Sequence, residues 1–508
     1  MDAGFIGGDF GGKGTSIDEF ACYYLAKATG RPIKAVMTYV EELQTVNPRH
    51  AAVMRLKTGV TREGKFIAHH AELIFNGGAY AGGKPLPALV VVGGRATMAV
   101  YNVPNTKLEL MSVYTNSVPG GHMRAPGEMQ ALFAGESHID MIAKEMGLDP
   151  LKLRLLNAVR EGDTGPANEL FREPRAVQVL EALRRESGWG KPLAPNRGRG
   201  LALGVRHVGG GKASARFSLQ SDGSVQVLTA VPDQGGGSFT IIRRIAAAVM
   251  SVDPERIVVV HGTTANSPFD PGSGGSRVTH LIGQLARSGA AEMKERLEEL
   301  ASEVMGWPAG QVRLEHDRFV VGDGAGESAS FEEVASRVAR SGPLEVPVSY
   351  DGSGHGPDDP GDYNFNGFYV EVEVDPDTGQ VRVCDVLLAA DVGTIINPNA
   401  HQGQLEGGFV MGLGAALMED LPVEDGKVMI ANLSDYKLPT VMDTPPFRTV
   451  LLPTSVGPGP FGAKMAGELT NTSAAPAIAN AVADATGIRL TSLPLIAERV
   501  LDALRSTD

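Results

Sequence analysis

The chain has 508 residues, 43% of them hydrophobic, enough to bury a large core and to divide into two or more domains. Its 46 basic and 59 acidic residues give a formal charge of −13, without the clustered lysine and arginine that a nucleic-acid surface needs. No run reaches about 18 uninterrupted apolar residues, so no membrane-spanning helix is read, and no signal peptide is visible at the start. Cys22 and Cys384 lie too far apart for a CxxC metal or cluster site, and so few cysteines point to a reducing, cytoplasmic setting.

Glycine is the outlier: 64 residues, about twice the usual ~7% share. The glycines cluster at 7–14, 77–83, 209–211, 235–237, 272–275, 403–408 and 457–467, each cluster between apolar segments. Because glycine lets backbone approach closely, the pattern suggests one large ligand gripped from several sides.

In chain order, Phe5 to Lys13 is a glycine loop at the very start. A globular protein rarely opens inside such a loop, so a preceding domain is expected to be missing or carried by another chain. Lys13 is followed by Gly14, so no GxxxxGK[ST] phosphate loop is formed. Ile17 to Ala28 has helical spacing and stops at Gly30. Pro32 to Val40 reads as a strand. Val53–Thr61 and Lys65–Phe75 read as a hairpin turning at Arg62-Glu63-Gly64. Leu108 to Val113 is a strand, Gly120 to Gly127 a loop, and Gln130 to Met146 an amphipathic helix.

Residues 157–197 are polar, and a boundary is placed there: a first domain over 1–160, a linker over 161–197 and a second domain over 198–508. Residues 201–231 read as a hairpin around Ser221-Asp222-Gly223. A helix follows from Phe239 to Met250, then a short buried strand, Ile257 to Val260. The loop Pro271 to Arg277 leads into a long helix ending near Met305, and 306–365 looks peripheral. Phe368–Val374 and Gln380–Ala390 form a hairpin, and an Ala/Gly-rich helix runs from about His401 to Met418. The unit of hairpin, glycine loop and helix thus occurs twice in the second half. The mixture predicts an α+β fold.

The run Gly457 to Gly467 ends in one carboxylate, Glu468, before the apolar segment Ala474–Val482. Pro476 is tolerated in a first helical turn, which predicts a helix start near Ser473. Locally, Glu468 reads either as a cap of that helix or as a base held between a tight loop and a helix.

Several motifs together resemble the molybdenum hydroxylases, the xanthine dehydrogenase/aldehyde oxidase family. The loop Phe5-Ile6-Gly7-Gly8-Asp9-Phe10-Gly11-Gly12-Lys13 is similar to that family's GGGFGGK loop. His122-Met123-Arg124-Ala125-Pro126-Gly127 with Gln130-Ala131-Leu132-Phe133 resembles its arginine loop and helix. Asp391-Val392-Gly393-Thr394-Ile395-Ile396-Asn397-Pro398 with Gly403-Gln404 and Gly407-Gly408 resembles its DxGxxINP…GQ…GG block. Gly467-Glu468 with Ala475 to Ala481 resembles its GxGE…APAIANA segment. The motifs span residues 4 to 501 in the family's order.

The resemblance implies two elongated molybdopterin-binding domains with the cofactor between them. It implies one molybdenum ion on the dithiolene of a molybdopterin, in a cytosine dinucleotide form, with oxo, sulfido and hydroxyl ligands. Glu468 would be the base for water-derived hydroxylation of a small-molecule substrate. Phe10, Gly11 and Gly12 would line the metal's surroundings. Arg124 would lie beside the metal, Gly275 and Ser276 would offer backbone amides, and Gln404 would bond the pterin. Phe10, Arg124 and Gly275 would be neighbours of the metal, whose direct ligands come from the pterin.

Gly14 stands where xanthine-oxidising members carry Glu, Ala125-Pro126 where they carry Gly-Phe, and Gln234 is displaced from a GQG. Gly209–Gly211 falls where a second aromatic often lies. These departures favour an aldehyde or an N-heteroaromatic compound other than xanthine. The family further implies an iron–sulfur subunit, an FAD subunit and a separate chain supplying an N-terminal hammerhead-like domain. The alternative is a truncated, non-catalytic or assembly protein of the same fold.

Overall fold

The computed structural model describes all residues except 1–3, 5, 14–17, 46, 82–87, 167, 323–325, 354–362, 455, 507 and 508. Gly14, one basis of the substrate expectation, lies outside the described residues, as do Phe5 and Ile17.

The centre is a four-stranded mixed sheet in the order Phe447–Leu452, Val381–Asp391, Tyr363–Val374, Arg197–His207. The last three are antiparallel neighbours, and Phe447–Leu452 runs parallel to Val381–Asp391. Alternate residues of a strand face opposite sides, and here both sides are buried. Phe368, Val370, Val372, Val386 and Leu388 share one core with helices Pro398–Leu417 and Leu469–Thr486. Phe365, Tyr369, Leu387, Leu201 and Leu203 share another with helix Ala176–Ser187. That helix lies within the stretch expected to be a linker, and its Val179, Leu180 and Leu183 are fully buried.

Helix Leu469–Thr486 is buried along its whole first part, Leu469 through Val482. It begins one turn before the expected Ser473 and holds Pro476 inside. Packing on every side overrides the local cost of proline. One side of it meets a small-residue stripe on the edge strand: Gly198, Gly200, Ala202 and Gly204. A Cβ at Gly198 would stand 2.2 Å from the Ala485 nitrogen, and one at Gly200 2.0 Å from the Ala477 oxygen. Backbone rests on backbone there, and only glycine leaves the room.

The 201–231 stretch is not one hairpin. Arg197–His207 joins the central sheet, while Lys212–Leu219 and Val225–Thr229 form a true hairpin in a second sheet with Ile257–His261 and Glu345–Asp351. Helices Ser238–Met250 and Gly283–Met305 cover that sheet. The described part of 306–365 is not peripheral, since Phe319, Phe331 and Val334 are wholly buried in the same core. Near the start, Ala52–Val60 and Phe66–Gly78 form the expected hairpin, with Thr106–Tyr114 parallel beside it and helix Glu128–Glu145 behind. The strand expected over 32–40 is absent. Tyr39–Thr45 is a helix instead, because Thr38 and Glu41 form a reciprocal cap: Glu41 Oε2 accepts from Thr38 N at 2.7 Å and Thr38 Oγ1 accepts from Glu41 N at 3.3 Å.

Candidate active site

Glu468 stands immediately before helix Leu469–Thr486, at its N-terminal end. Its side chain is 13% exposed. Oε1 accepts one hydrogen bond, from Ala125 N at 3.0 Å. Oε2 accepts from Arg206 Nη2 at 2.7 Å and from Ser276 Oγ at 2.9 Å. Burial pushes the carboxyl upward, but Arg206, Ala125 and Ser276 overcome it and pull the pKa to about 2.

The same contacts gather the other expected positions. Arg124 is buried and donates from Nε to Gly467 O at 2.6 Å, and from Nη2 to Gln404 O at 3.0 Å and Gln404 Oε1 at 3.4 Å. Its backbone N donates to Phe10 O at 2.7 Å, and its guanidinium lies 5.6 Å from the centre of the Phe10 ring. Burial lowers its pKa to about 10, against the opposing charge of Glu468. Gly11 sits against the arginine loop so closely that a Cβ would lie 1.7 Å from His122 O, and Gly12 closes a turn onto Asp9 O at 2.8 Å. Gly275 O accepts from Gly209 N at 2.7 Å, which anchors the loop that delivers Ser276 to Glu468. Positions 10–12, 124, 275–276, 404 and 468 therefore form one connected cluster.

Three non-glycine residues of this cluster hold left-handed backbone: Phe10 at φ 52°, Ala125 at φ 58° and Ser276 at φ 56°. Each such residue costs of order 1–3 kcal/mol and persists only where the surroundings over-determine it.

Two members escaped the sequence reading. Arg206 is the penultimate residue of the strand Arg197–His207, and its Nη1 meets Glu128 Oε1 at 2.6 Å while its Nη2 meets Glu468. Glu128 opens helix Glu128–Glu145. Burial, with Glu468 adding to it and Arg206 opposing, raises the Glu128 pKa to about 7. A signal for Arg206 exists in the sequence. Residues 198, 200, 202, 204 and 206 share one strand face, and the small-residue stripe that seats the helix ends in this arginine, level with the helix start.

The sequence family described as the molybdopterin cofactor-binding domain matches residues 179–445, and a second of the same description matches residues 1–158. The chain belongs to this family. It is 31% identical to a probable xanthine dehydrogenase subunit of Bacillus subtilis (strain 168), over 98% of this chain and 68% of that one. Among solved structures it is similar to quinoline 2-oxidoreductase from Pseudomonas putida 86, with TM-score 0.88 and 26% identity over 99% of this chain and 68% of that one. It is also similar to the aldehyde oxidoreductase from Desulfovibrio gigas, with TM-score 0.85 and 29% identity over 98% of this chain and 54% of that one. The chain thus spans between about half and two thirds of the length of these relatives. Its family is that of the molybdopterin-dependent oxidoreductases of xanthine dehydrogenase and aldehyde oxidoreductase type, and its α+β architecture is theirs.

The residues present fit such a cofactor. Gly403 and Gly407, on helix Pro398–Leu417, have nothing within 4 Å of where a Cβ would stand, and the same holds for Gly235 and Gly236. His401 Nε2, on that helix, is buried without a hydrogen-bond partner among the described residues. Among the described residues no group of three or more His, Cys, Asp and Glu side chains is placed to hold a metal ion. No helix among the described residues is long and apolar enough to cross a membrane.

Proposed function

We propose that this chain carries the catalytic centre of a molybdenum hydroxylase, inserting water-derived oxygen into an aldehyde or an N-heteroaromatic carbon, with Glu468 as the proton acceptor. The observation that carries the reading is the environment of Glu468: a buried carboxylate tied to Ala125, Arg206 and Ser276, one residue from the Gly467 carbonyl that Arg124 grips. Phe10 to Gly12, Arg124, Gly275, Ser276 and Gln404 would surround the molybdenum–pterin group, with Gly403 and Gly407 giving it a flat helical face. When bound, that group supplies the two-electron acceptor and activates a water-derived nucleophile.

The chain's own part is to keep Glu468 ionised and aimed. A carboxylate oxygen has two acceptor lone pairs, and among the described residues Oε1 receives only the Ala125 amide, so Oε1 is the atom left to take a proton. Arg206 and Ser276 hold the other oxygen and fix the side chain. Arg124 ties three segments together and holds the glycine loop in place.

The reading includes iron–sulfur and FAD subunits as the route for electrons. It also includes the cytosine dinucleotide form of the pterin. The word "subunit" in the B. subtilis relative's name supports a multi-chain enzyme. The two free cysteines fit a reducing, cytoplasmic setting.

The test is Glu468→Gln in the enzyme purified with its partner chains. Dye reduction by a panel of aldehydes and azaarenes should vanish while molybdenum and pterin content stay at the level of the unaltered enzyme. Substantial turnover by that variant overturns the reading.

A further inference from the structure

The role given to Glu468 creates an electrostatic problem. Arg206 lies between Glu468 and Glu128, all three largely buried, with side-chain exposures of 11% for Arg206, 13% for Glu468 and 10% for Glu128. When Glu468 takes a proton, its hold on Arg206 weakens. A buried cation left without a partner is strongly destabilising, and that penalty would oppose the very proton transfer assigned to Glu468.

Glu128 removes the problem. Its Oε1 already meets the other arm of the guanidinium at 2.6 Å, and its Oε2 is buried with no hydrogen-bond partner among the described residues. Its place is fixed by the backbone before it. Gly127 is the residue preceding the helix at φ 78°, and a Cβ there would stand 2.0 Å from Val90 O. The loop carrying Ala125 and the helix carrying Glu128 are therefore one rigid piece, and Ala125 N holds Glu468 from the same piece. The fork of Arg206 suits this, because its two arms reach separate carboxylates without moving.

Resting on the reading of Glu468 as the base, we propose that Glu128 is a positioning residue: it holds the second arm of Arg206, so that the guanidinium stays paired whenever Glu468 carries a proton. With Glu468 protonated, the carboxylate of Glu128 alone faces the guanidinium, and no bare cation is formed.

The test uses Glu468→Gln as a mimic of the protonated base and reads urea denaturation of the purified holoenzyme and of the chain alone. Each of Glu468→Gln and Glu128→Gln should lower the urea midpoint, Glu468→Gln the more. The double variant should fall well below the sum of the two, or fail to fold where each single variant folds. Adding Arg206→Met to the double variant, which removes the stranded cation, should bring the midpoint back. In the holoenzyme, Glu128→Gln should lower kcat roughly tenfold with KM changed less than about twofold, and Glu128→Asp should recover part of the loss. Additive midpoints, or no rescue by Arg206→Met, would overturn the proposal. Those outcomes leave the base reading standing, because that reading falls only if Glu468→Gln turns substrate over.

Discussion

Gly200→Ala puts the seat of the central helix to the test. The added Cβ would stand 2.0 Å from Ala477 O and 2.4 Å from Ala481 N. Both are backbone atoms of a helix with no free side, so no flexible side chain can yield. Restoring a separation of about 3.5 Å requires strand and helix to part by roughly 1.5 Å. Overpacking of this kind costs about 3 kcal/mol. The same parting is transmitted to the site. Arg206 lies on the same strand face as Gly200, and Glu468 stands at the start of the helix being pushed away. A displacement of about 1 Å at a catalytic group costs on the order of 10²-fold in rate. Urea denaturation of the chain and turnover of the holoenzyme read the two effects separately. A variant within about 0.5 kcal/mol of the unaltered protein, with unchanged turnover, would refute both the close seating and its link to the site.

Gly403→Ala and Gly407→Ala should act in opposite senses on the empty chain and on the holoenzyme. Each adds about 1 kcal/mol of helix stability where nothing lies within 4 Å, yet should reduce molybdenum content if the pterin lies on that face. Unchanged metal content would remove the face from the cofactor site. Lys464→Met should cost about 3–5 kcal/mol, because Lys464 Nζ is paired with the buried Asp391 Oδ2 at 2.6 Å and donates to Tyr363 O at 3.0 Å. Burial raises the Asp391 pKa while Lys464 opposes it. Without the lysine, stability should therefore be higher at low pH and fall as pH rises, and a deficit that does not depend on pH would sink this account. The opposite sign holds at Glu468. Its depressed pKa gives stability that is present above about 4.5 and lost as pH falls toward about 2. The interval corresponds to roughly 3 kcal/mol, and acid titrations followed by fluorescence should show Glu468→Gln lacking that part of the slope.

Much of the site is legible because its chemistry demands unusual sequence. Tight loops favour glycine, so those at 10–12, 275 and 467 announce themselves, and Arg124 and Glu468 stand out beside them. Arg206 and Glu128 are less visible, since each looks like an ordinary charge on a strand end or a first helical turn. Only the strand periodicity, the glycine stripe and the tertiary meeting of three elements give them meaning. Local chemistry also misleads where packing dominates. Pro476 suggests a helix start, but a helix enclosed on all sides accepts it eight residues into its length. The apolar stretch 32–40 suggests a strand, whereas the cap between Thr38 and Glu41 starts a helix within it.

The left-handed backbone at Phe10, Ala125 and Ser276 bears on how this protein can be improved. Glycine at any of the three would relax the chain locally, and a screen for heat resistance would reward it. Each of those residues touches Arg124 or Glu468, so the relaxed loops would hold these two side chains less firmly. Thermal hardening of this protein is better sought in positions remote from these three turns.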